Sequence, residues 1–155
     1  LQQWTGDGVT SATFGYAVAG IHAFNGDGHP DLLVGTPNKS YAPNLAGEFH
    51  IFSGANGSLL FKQRGGQQSE TLGRAACDAG DVNGDGTNDF LVAAPYYDDA
   101  VGQTLLYSGR TNRVIYKFDG DDLVICVGQL GKDRPREFAS KEDSQQILEV
   151  WQRKK

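Results

Sequence analysis

A single pattern occurs twice in this chain, 58 positions apart and without a gap. Ser11-Ala12-Thr13-Phe14-Gly15, Asn25-Gly26-Asp27-Gly28, Asp31-Leu32-Leu33-Val34 and Pro37 return as Ser69-Glu70-Thr71-Leu72-Gly73, Asn83-Gly84-Asp85-Gly86, Asp89-Phe90-Leu91-Val92 and Pro95. Further on, residues 47–54 match residues 102–109 at a spacing of 55, so one connection is three residues shorter in the second copy. A repeat of this length has to be a supersecondary unit that buries its faces against its neighbours, as in propellers and related arrays.

Each copy reads as four strands. The first copy gives 15–21, 31–35, 47–52 and 58–63, and the second gives 73–79, 89–94, 102–107 and 113–118. The runs are short and apolar and are bounded by Gly, Asn, Asp and Pro, which favours strands over helices. Asn56-Gly57 marks a tight turn between the third and fourth strands of the first copy, because both residues tolerate positive φ. Four antiparallel strands make one propeller blade.

The loop between the first two strands of the second copy carries the chemistry. Residues 81–89 place Asp81, Asn83, Asp85 and Asp89 at relative positions one, three, five and nine, with Gly86 at six. Ca²⁺ takes roughly six to eight oxygen ligands, and a short loop supplies them by alternating inward side chains around a sharp glycine turn. The EF-hand opens in the same way but needs a Glu at position twelve and flanking helices. Here position twelve is Val92, within an apolar strand. The expected Ca²⁺ ligands are therefore Asp81, Asn83, Asp85, Asp89 and the Thr87 carbonyl. The first loop offers Asn25, Asp27, Asp31 and the His29 carbonyl, with the His29 imidazole facing solvent. Ala23 stands there in place of the first carboxylate, so weaker binding is expected.

Phe14-Gly15, Asn25-Gly26-Asp27-Gly28, Asp31 and Gly35-Thr36-Pro37 resemble the FG-GAP repeat, as do Leu72-Gly73, the loop 81–89 and Ala93-Ala94-Pro95. This is the blade unit of the integrin alpha-subunit β-propeller and of many secreted proteins, and the resemblance covers residues 1 to about 122. The second copy departs mildly, with Leu72 for Phe and Ala93 for Gly, whereas the first departs at a ligand position, Ala23. The resemblance implies a Ca²⁺ held between the first and second strands of a blade and implies no catalysis.

The expected fold is all-β, with two four-stranded antiparallel blades of an FG-GAP β-propeller forming an incomplete ring, since closed rings take about four to eight blades. Residues 1–10 read as the end of a preceding blade, 11–66 as blade 1, 67–122 as blade 2 and 123–155 as a tail outside the repeat. Such a chain is a fragment of a longer propeller, an oligomerising half-ring or a truncated product. Its open faces call for further blades, a second copy of the chain or its own tail, with Trp4, Ile147, Leu148 and Trp151 the candidate covering residues. Composition changes at the tail. Before residue 123 there are 14 acids against 7 Lys and Arg, a net of −7; after it 7 Lys and Arg face 5 acids, a net of +2. Residues 136–155 lack Gly and Pro, and the sequence predicts a C-terminal helix over 141–152.

The acid excess argues against a nucleic-acid partner, because phosphate contacts need a basic face. No apolar run is long enough to span a membrane. Cys77 and Cys126 show no metal spacing and are idle thiols, a mutual disulfide pair or reactive groups. Asn38-Lys39-Ser40 and Asn56-Gly57-Ser58 both fit the N-glycosylation tripeptide. No nucleophile elbow, zinc-protease helix or phosphate-cradling loop is present, and His22, His29 and His50 lie apart in the sequence. Two functions follow. One is a non-catalytic extracellular binding or adhesion module for a protein or glycan ligand. The other is an accessory propeller domain of a secreted hydrolase or lyase whose catalytic part lies elsewhere.

Overall fold

The computed structural model describes residues 3–6, 13–40, 46–119, 122–127 and 147–152, with side chains described as far as Ile115 apart from Asp99 and Ala100. The first sheet is a four-stranded antiparallel meander of β1 (Ala17–Ile21), β2 (Asp31–Thr36), β3 (Glu48–Phe52) and β4 (Leu59–Arg64). The second begins in the same way with β5 (Ala75–Gly80), β6 (Asp89–Ala94), β7 (Gln103–Tyr107) and β8 (Val114–Asp119). Register follows the repeat: Leu33 pairs with Ile51 in one sheet and Leu91 with Leu106 in the other. Both copies slip register at the same place, between Ile51 and Phe52 and between Leu106 and Tyr107.

Most strands begin one or two residues later than the sequence boundaries. At the heads of β1 and β5 the cause is Gly15 and Gly73, whose φ values of 85° and 89° take them out of extended geometry. A one-turn helix, α1 (Tyr97–Ala100), fills the β6–β7 connection.

The expected helix over 141–152 is corrected. Ile147–Gln152 forms β10, which pairs antiparallel with β9 (Asp122–Val127), and β9 pairs with β8. The second sheet thus runs β10-β9-β8-β7-β6-β5. The physical reason is context. Ile147, Val150 and Trp151 have strand-favouring side chains, an isolated helix of this length is marginal in water, and the open edge of β8 offers unpaired backbone groups that a hairpin satisfies. Residues 141–146 and the side chains of Ile147, Leu148 and Trp151 lie outside the described residues.

Period-two alternation gives each blade two faces. Ala19, Leu33, Phe49 and Ile51 of the first sheet face Ala76, Phe90, Val92 and Leu105 of the second, in one continuous core. Aromatic rings join the two sides. Phe49 is fully buried, lies 5.9 Å from Phe90 and 5.3 Å from Tyr107 in edge-on contacts, and Phe90 stacks on Tyr107 at 5.2 Å. Nearer the β1 side the backbones themselves meet: a Cβ on Gly35 would overlap the Gly73 carbonyl oxygen. The segment between blades is tied down by Glu70, whose buried carboxylate accepts the amides of Gly66 and Gln67 at 2.7 and 2.9 Å.

The opposite face of the first sheet is covered by the N-terminal segment. Trp4 packs on Phe52 at 6.0 Å, and Phe14 sits edge-on to both His50 and Phe52. Beneath them Glu48 is buried and paired with Lys62 at 2.8 Å and with His50 at 3.4 Å. Trp4 therefore does cover a sheet face, as its sequence position suggested. Among the described residues no helix is long and apolar enough to cross a membrane.

Removing the central ring of the inter-sheet core leaves a cavity that packed sheets cannot close. Phe49→Ala is expected to cost about 3–5 kcal/mol, read as a shifted midpoint in urea unfolding with an unchanged slope; a loss under about 1 kcal/mol would contradict the packing described.

Candidate metal centre

The two candidate loops join β1 to β2 and β5 to β6, and in both copies the last acid of the loop is also the first residue of the second strand. Asp31 and Asp89 are buried, with exposures of 2% and 0%. Each carboxylate reaches in two directions. Asp31 accepts the Phe24 amide at 2.7 Å and the Asn25 amide at 3.4 Å from its own loop, and the Gly54 amide at 2.9 Å from the β3–β4 turn. Asp89 accepts Val82 at 3.0 Å, Asn83 at 3.3 Å and Gly109 at 3.2 Å in the corresponding arrangement. Gly54 and Gly109 have no room for a side chain, because a Cβ would overlap the carbonyl oxygens of Pro30 and Asn88. The loop and the far turn are thus pressed together over one buried carboxylate.

In the second loop Asn83 Nδ2 donates to both oxygens of Asp89 at 3.1 Å each. Asp81 is exposed and accepts the amides of Asp85 and Gly86 at 3.0 and 2.9 Å. Asp85 accepts the Thr87 amide at 3.0 Å and faces the Ser108 hydroxyl at 3.4 Å, while Arg110 holds the Asp85 carbonyl at 3.0 Å. In the first loop Asn25 and Asp27 bind each other: Asn25 Nδ2 donates to Asp27 at 2.8 Å, and the Asp27 amide donates back to Asn25 Oδ1 at 3.1 Å. The His29 amide donates to Asp27 at 2.8 Å and His29 itself is exposed. Ala23 is buried, and its carbonyl accepts the Gly26 amide at 3.0 Å.

Electrostatics separates the loops. The His29 amide, then the Asn25 side chain, hold the exposed Asp27 carboxyl below its ordinary value. Burial pushes Asp89 up; its backbone hydrogen bonds oppose that shift and the nearby Asp85 charge adds to it. Among the described residues no group of three or more His, Cys, Asp and Glu side chains is arranged to hold a metal ion, since the carboxylates are engaged by the loop's own amides. Calcium nonetheless fits the second loop on one independent observation. Asn83 Oδ1 is a buried acceptor with no hydrogen-bond donor, a costly state for a polar atom, and it lies in a loop where two carboxylates repel each other. A hard cation satisfies both conditions. The first loop differs: Asn25 Oδ1 already has a donor, and Ala23 brings no side-chain oxygen.

Sequence reasoning missed Asp78 and Asn88. Asp78 Oδ2 accepts the His22 amide of the first blade at 2.9 Å, Asp78 Oδ1 accepts the Gly80 amide at 2.8 Å, and Asn88 Nδ2 reaches the same carboxylate at 3.1 Å. One carboxylate therefore links the second loop to the neighbouring sheet. The first copy has Gly20 at the matching position, so comparing the copies could have drawn attention to it. The Ser-Gly pairs at 53–54 and 108–109 were visible as repeats, but their contact with the loop acids was not. Cys77 is a free, exposed thiol; the Cys126 side chain lies outside the described residues.

With the loops and sheets in place, comparison with known proteins is decisive. The FG-GAP-like repeat profile matches residues 24–92 and the FG-GAP repeat profile matches residues 76–114. The chain belongs to the FG-GAP repeat family. Its two sheets are FG-GAP propeller blades in an all-β chain, and they do not close a ring. Integrin alpha-8 of Gallus gallus is 33% identical over 122 residues, covering 72% of this FG-GAP chain and 11% of the integrin. Integrin alpha-4 of Xenopus laevis is 34% identical over 112 residues, covering 68% and 10%. Integrin alpha-IIb of Mus musculus is 36% identical over 109 residues, covering 63% and 10%. The FG-GAP chain thus matches about a tenth of the length of these relatives.

Asp89→Ala removes the acceptor shared by the Val82, Asn83 and Gly109 amides and the Asn83 side chain and is expected to destabilise the protein by about 3–5 kcal/mol. Asp78→Ala, at a wetter site, is expected to cost about 1–2 kcal/mol. Chemical denaturation of both variants checks the order, and an Asp78 loss equal to that of Asp89 would contradict the assignment of the hub to Asp89.

Proposed function

We propose that this chain is a calcium-stiffened FG-GAP propeller segment acting as a non-catalytic extracellular binding or adhesion module for a protein or glycan ligand. Residues 11–66 and 67–122 serve as its two blades, 1–10 as the end of a preceding blade and 123–155 as a tail outside the repeat. The observation that carries the reading is the second loop, where a buried, donorless Asn83 Oδ1 lies with Asp81, Asp85 and Asp89 in a repeat whose relatives are integrin alpha chains. Asp81, Asn83, Asp85, Asp89 and the Thr87 carbonyl would hold the ion. Asn25, Asp27, Asp31 and the His29 carbonyl form a weaker counterpart. The ion supplies fixed positive charge that tightens the loop, and no chemistry on a substrate is required of it.

Ligand contact belongs to the other end of the blades. In an antiparallel meander the β2–β3 and β6–β7 connections and the head of β1 lie opposite the metal loops, and at that end Tyr16, Tyr96 and Val101 are about half exposed. Exposed aromatic and apolar side chains on loops held by a rigid scaffold suit recognition. Further blades, or a second copy of the chain, are the partners expected at the open sheet faces.

Calorimetric titration of the chelator-stripped chain with CaCl₂ tests the metal reading. Binding is expected in the range of about 10⁻⁴–10⁻³ M typical of extracellular modules, with stabilisation of about 2.7 kcal/mol at a hundredfold excess over Kd. Asp85→Ala should abolish the tighter event, whereas Ala23→Asp should strengthen the weaker one. No heat and no thermal shift at millimolar Ca²⁺ would end the proposal. If Ala23→Asp left calcium binding unchanged, the two loops would not be equivalent.

A further inference from the structure

The two glycosylation tripeptides are indistinguishable in sequence but sit in different surroundings. Asn56 is exposed at the tip of the β3–β4 turn, and so is Ser58. The Asn56 side-chain Oδ1 accepts the Ser58 amide at 2.9 Å, folding the tripeptide into an Asx turn that brings the hydroxyl residue round to the carboxamide. From the sheet side the Trp4 indole donates to the Gly57 carbonyl at 3.1 Å, so the turn is supported from behind while its tip faces water. Asn38 is half-buried at the end of β2. The middle residue of its tripeptide, Lys39, is 3% exposed; its amide donates to Thr36 and its carbonyl accepts Gly47. A bulky substituent there would have to displace packed chain.

The second blade shows how little the turn depends on Asn56. Thr111-Asn112-Arg113 occupies the same place, and the backbone closes identically: Ser53 bonds to Ser58 and Ser108 to Arg113, both at 2.8 Å. Gly57 bonds to Ser53 at 2.7 Å and Asn112 to Ser108 at 2.9 Å. Gly57 and Asn112 both have positive φ, 75° and 58°. With Thr111 in place of Asn56 the same backbone closure is kept, so the path of the turn does not depend on an asparagine at this position.

We propose that Asn56 is an N-glycan acceptor and that Asn38 is not. The proposal rests on the extracellular reading for delivery of the chain to a compartment that holds a lipid-linked oligosaccharyl pyrophosphate donor. In the transfer, Asn56 Nδ2 forms a bond to the anomeric carbon of the oligosaccharide. The bond from that carbon to the pyrophosphate oxygen breaks, the pyrophosphate leaves with the electron pair, and Nδ2 gives up one proton. The product is a bulky, neutral, hydrated group on the blade's outer turn.

The test is expression of the full chain behind a secretion leader in cultured eukaryotic cells, with peptide mapping of the secreted protein before and after peptide:N-glycosidase. The expected result is a glycan on the peptide carrying Asn56, replaced by Asp at that position on enzymatic release. Asn56→Gln and Ser58→Ala should each remove the glycan without altering thermal melting of the deglycosylated chain, and Asn38→Gln should leave it in place. An unmodified Asn56 in secreted protein, or a glycan on Asn38, overturns the proposal. Calcium titration of the same preparation keeps the two readings apart. A glycan at Asn56 on a chain that binds no calcium upholds the acceptor and removes the loop reading, whereas calcium binding with a bare Asn56 does the reverse.

Discussion

A buried carboxylate at the head of the second strand holds each blade together. Asp31 and Asp89 are acids with almost no contact with water, surrounded by amides from the β-hairpin loop on one side and from the distant strand turn on the other. Removing such a group from water is expensive, and only several charge-assisted hydrogen bonds make the position tolerable. Those bonds in turn dictate the neighbourhood. The turn must bring a glycine up against the loop carbonyl, the loop must curl so that two successive amides point inward, and the second strand must start at the acid. Loop length, Ser-Gly turn and strand start are thus consequences of a single desolvated charge.

The copies share that hub but differ around it. In the first, Ala23 is turned into the protein and the polar side chains of the loop satisfy one another. In the second, Asp81 replaces the alanine, Asn83 keeps an unmet acceptor, and Asp78 ties the loop to the amide of His22 in the preceding sheet. The second loop is therefore both the more demanding electrostatically and the one mechanically connected across the blade boundary.

Much of this was legible in the sequence because the repeat supplies its own control. Two copies in register located every strand of both meanders to within about two residues. The contacts that cross the fold were not legible. Asp31 meets Gly54 and Asp89 meets Gly109 through tertiary packing, and Asp78 meets His22 across a sheet boundary; no local pattern encodes such distances. The tail was misread for a related reason. A segment free of Gly and Pro satisfies helix propensity, but the open backbone edge of β8 outweighs propensity, and an edge is a property of the assembled sheet.

The seam between the sheets is uneven in depth. Near β1 and β5 the backbones touch, with Gly35 against Gly73, whereas farther out the gap is filled by the rings of Phe49, Phe90 and Tyr107. Small residues on one side and large ones on the other make the layer between blades a wedge. Each repeat added by the same rule turns through a similar angle instead of stacking straight, so the curvature of the whole array is written in the side-chain volumes of one interface.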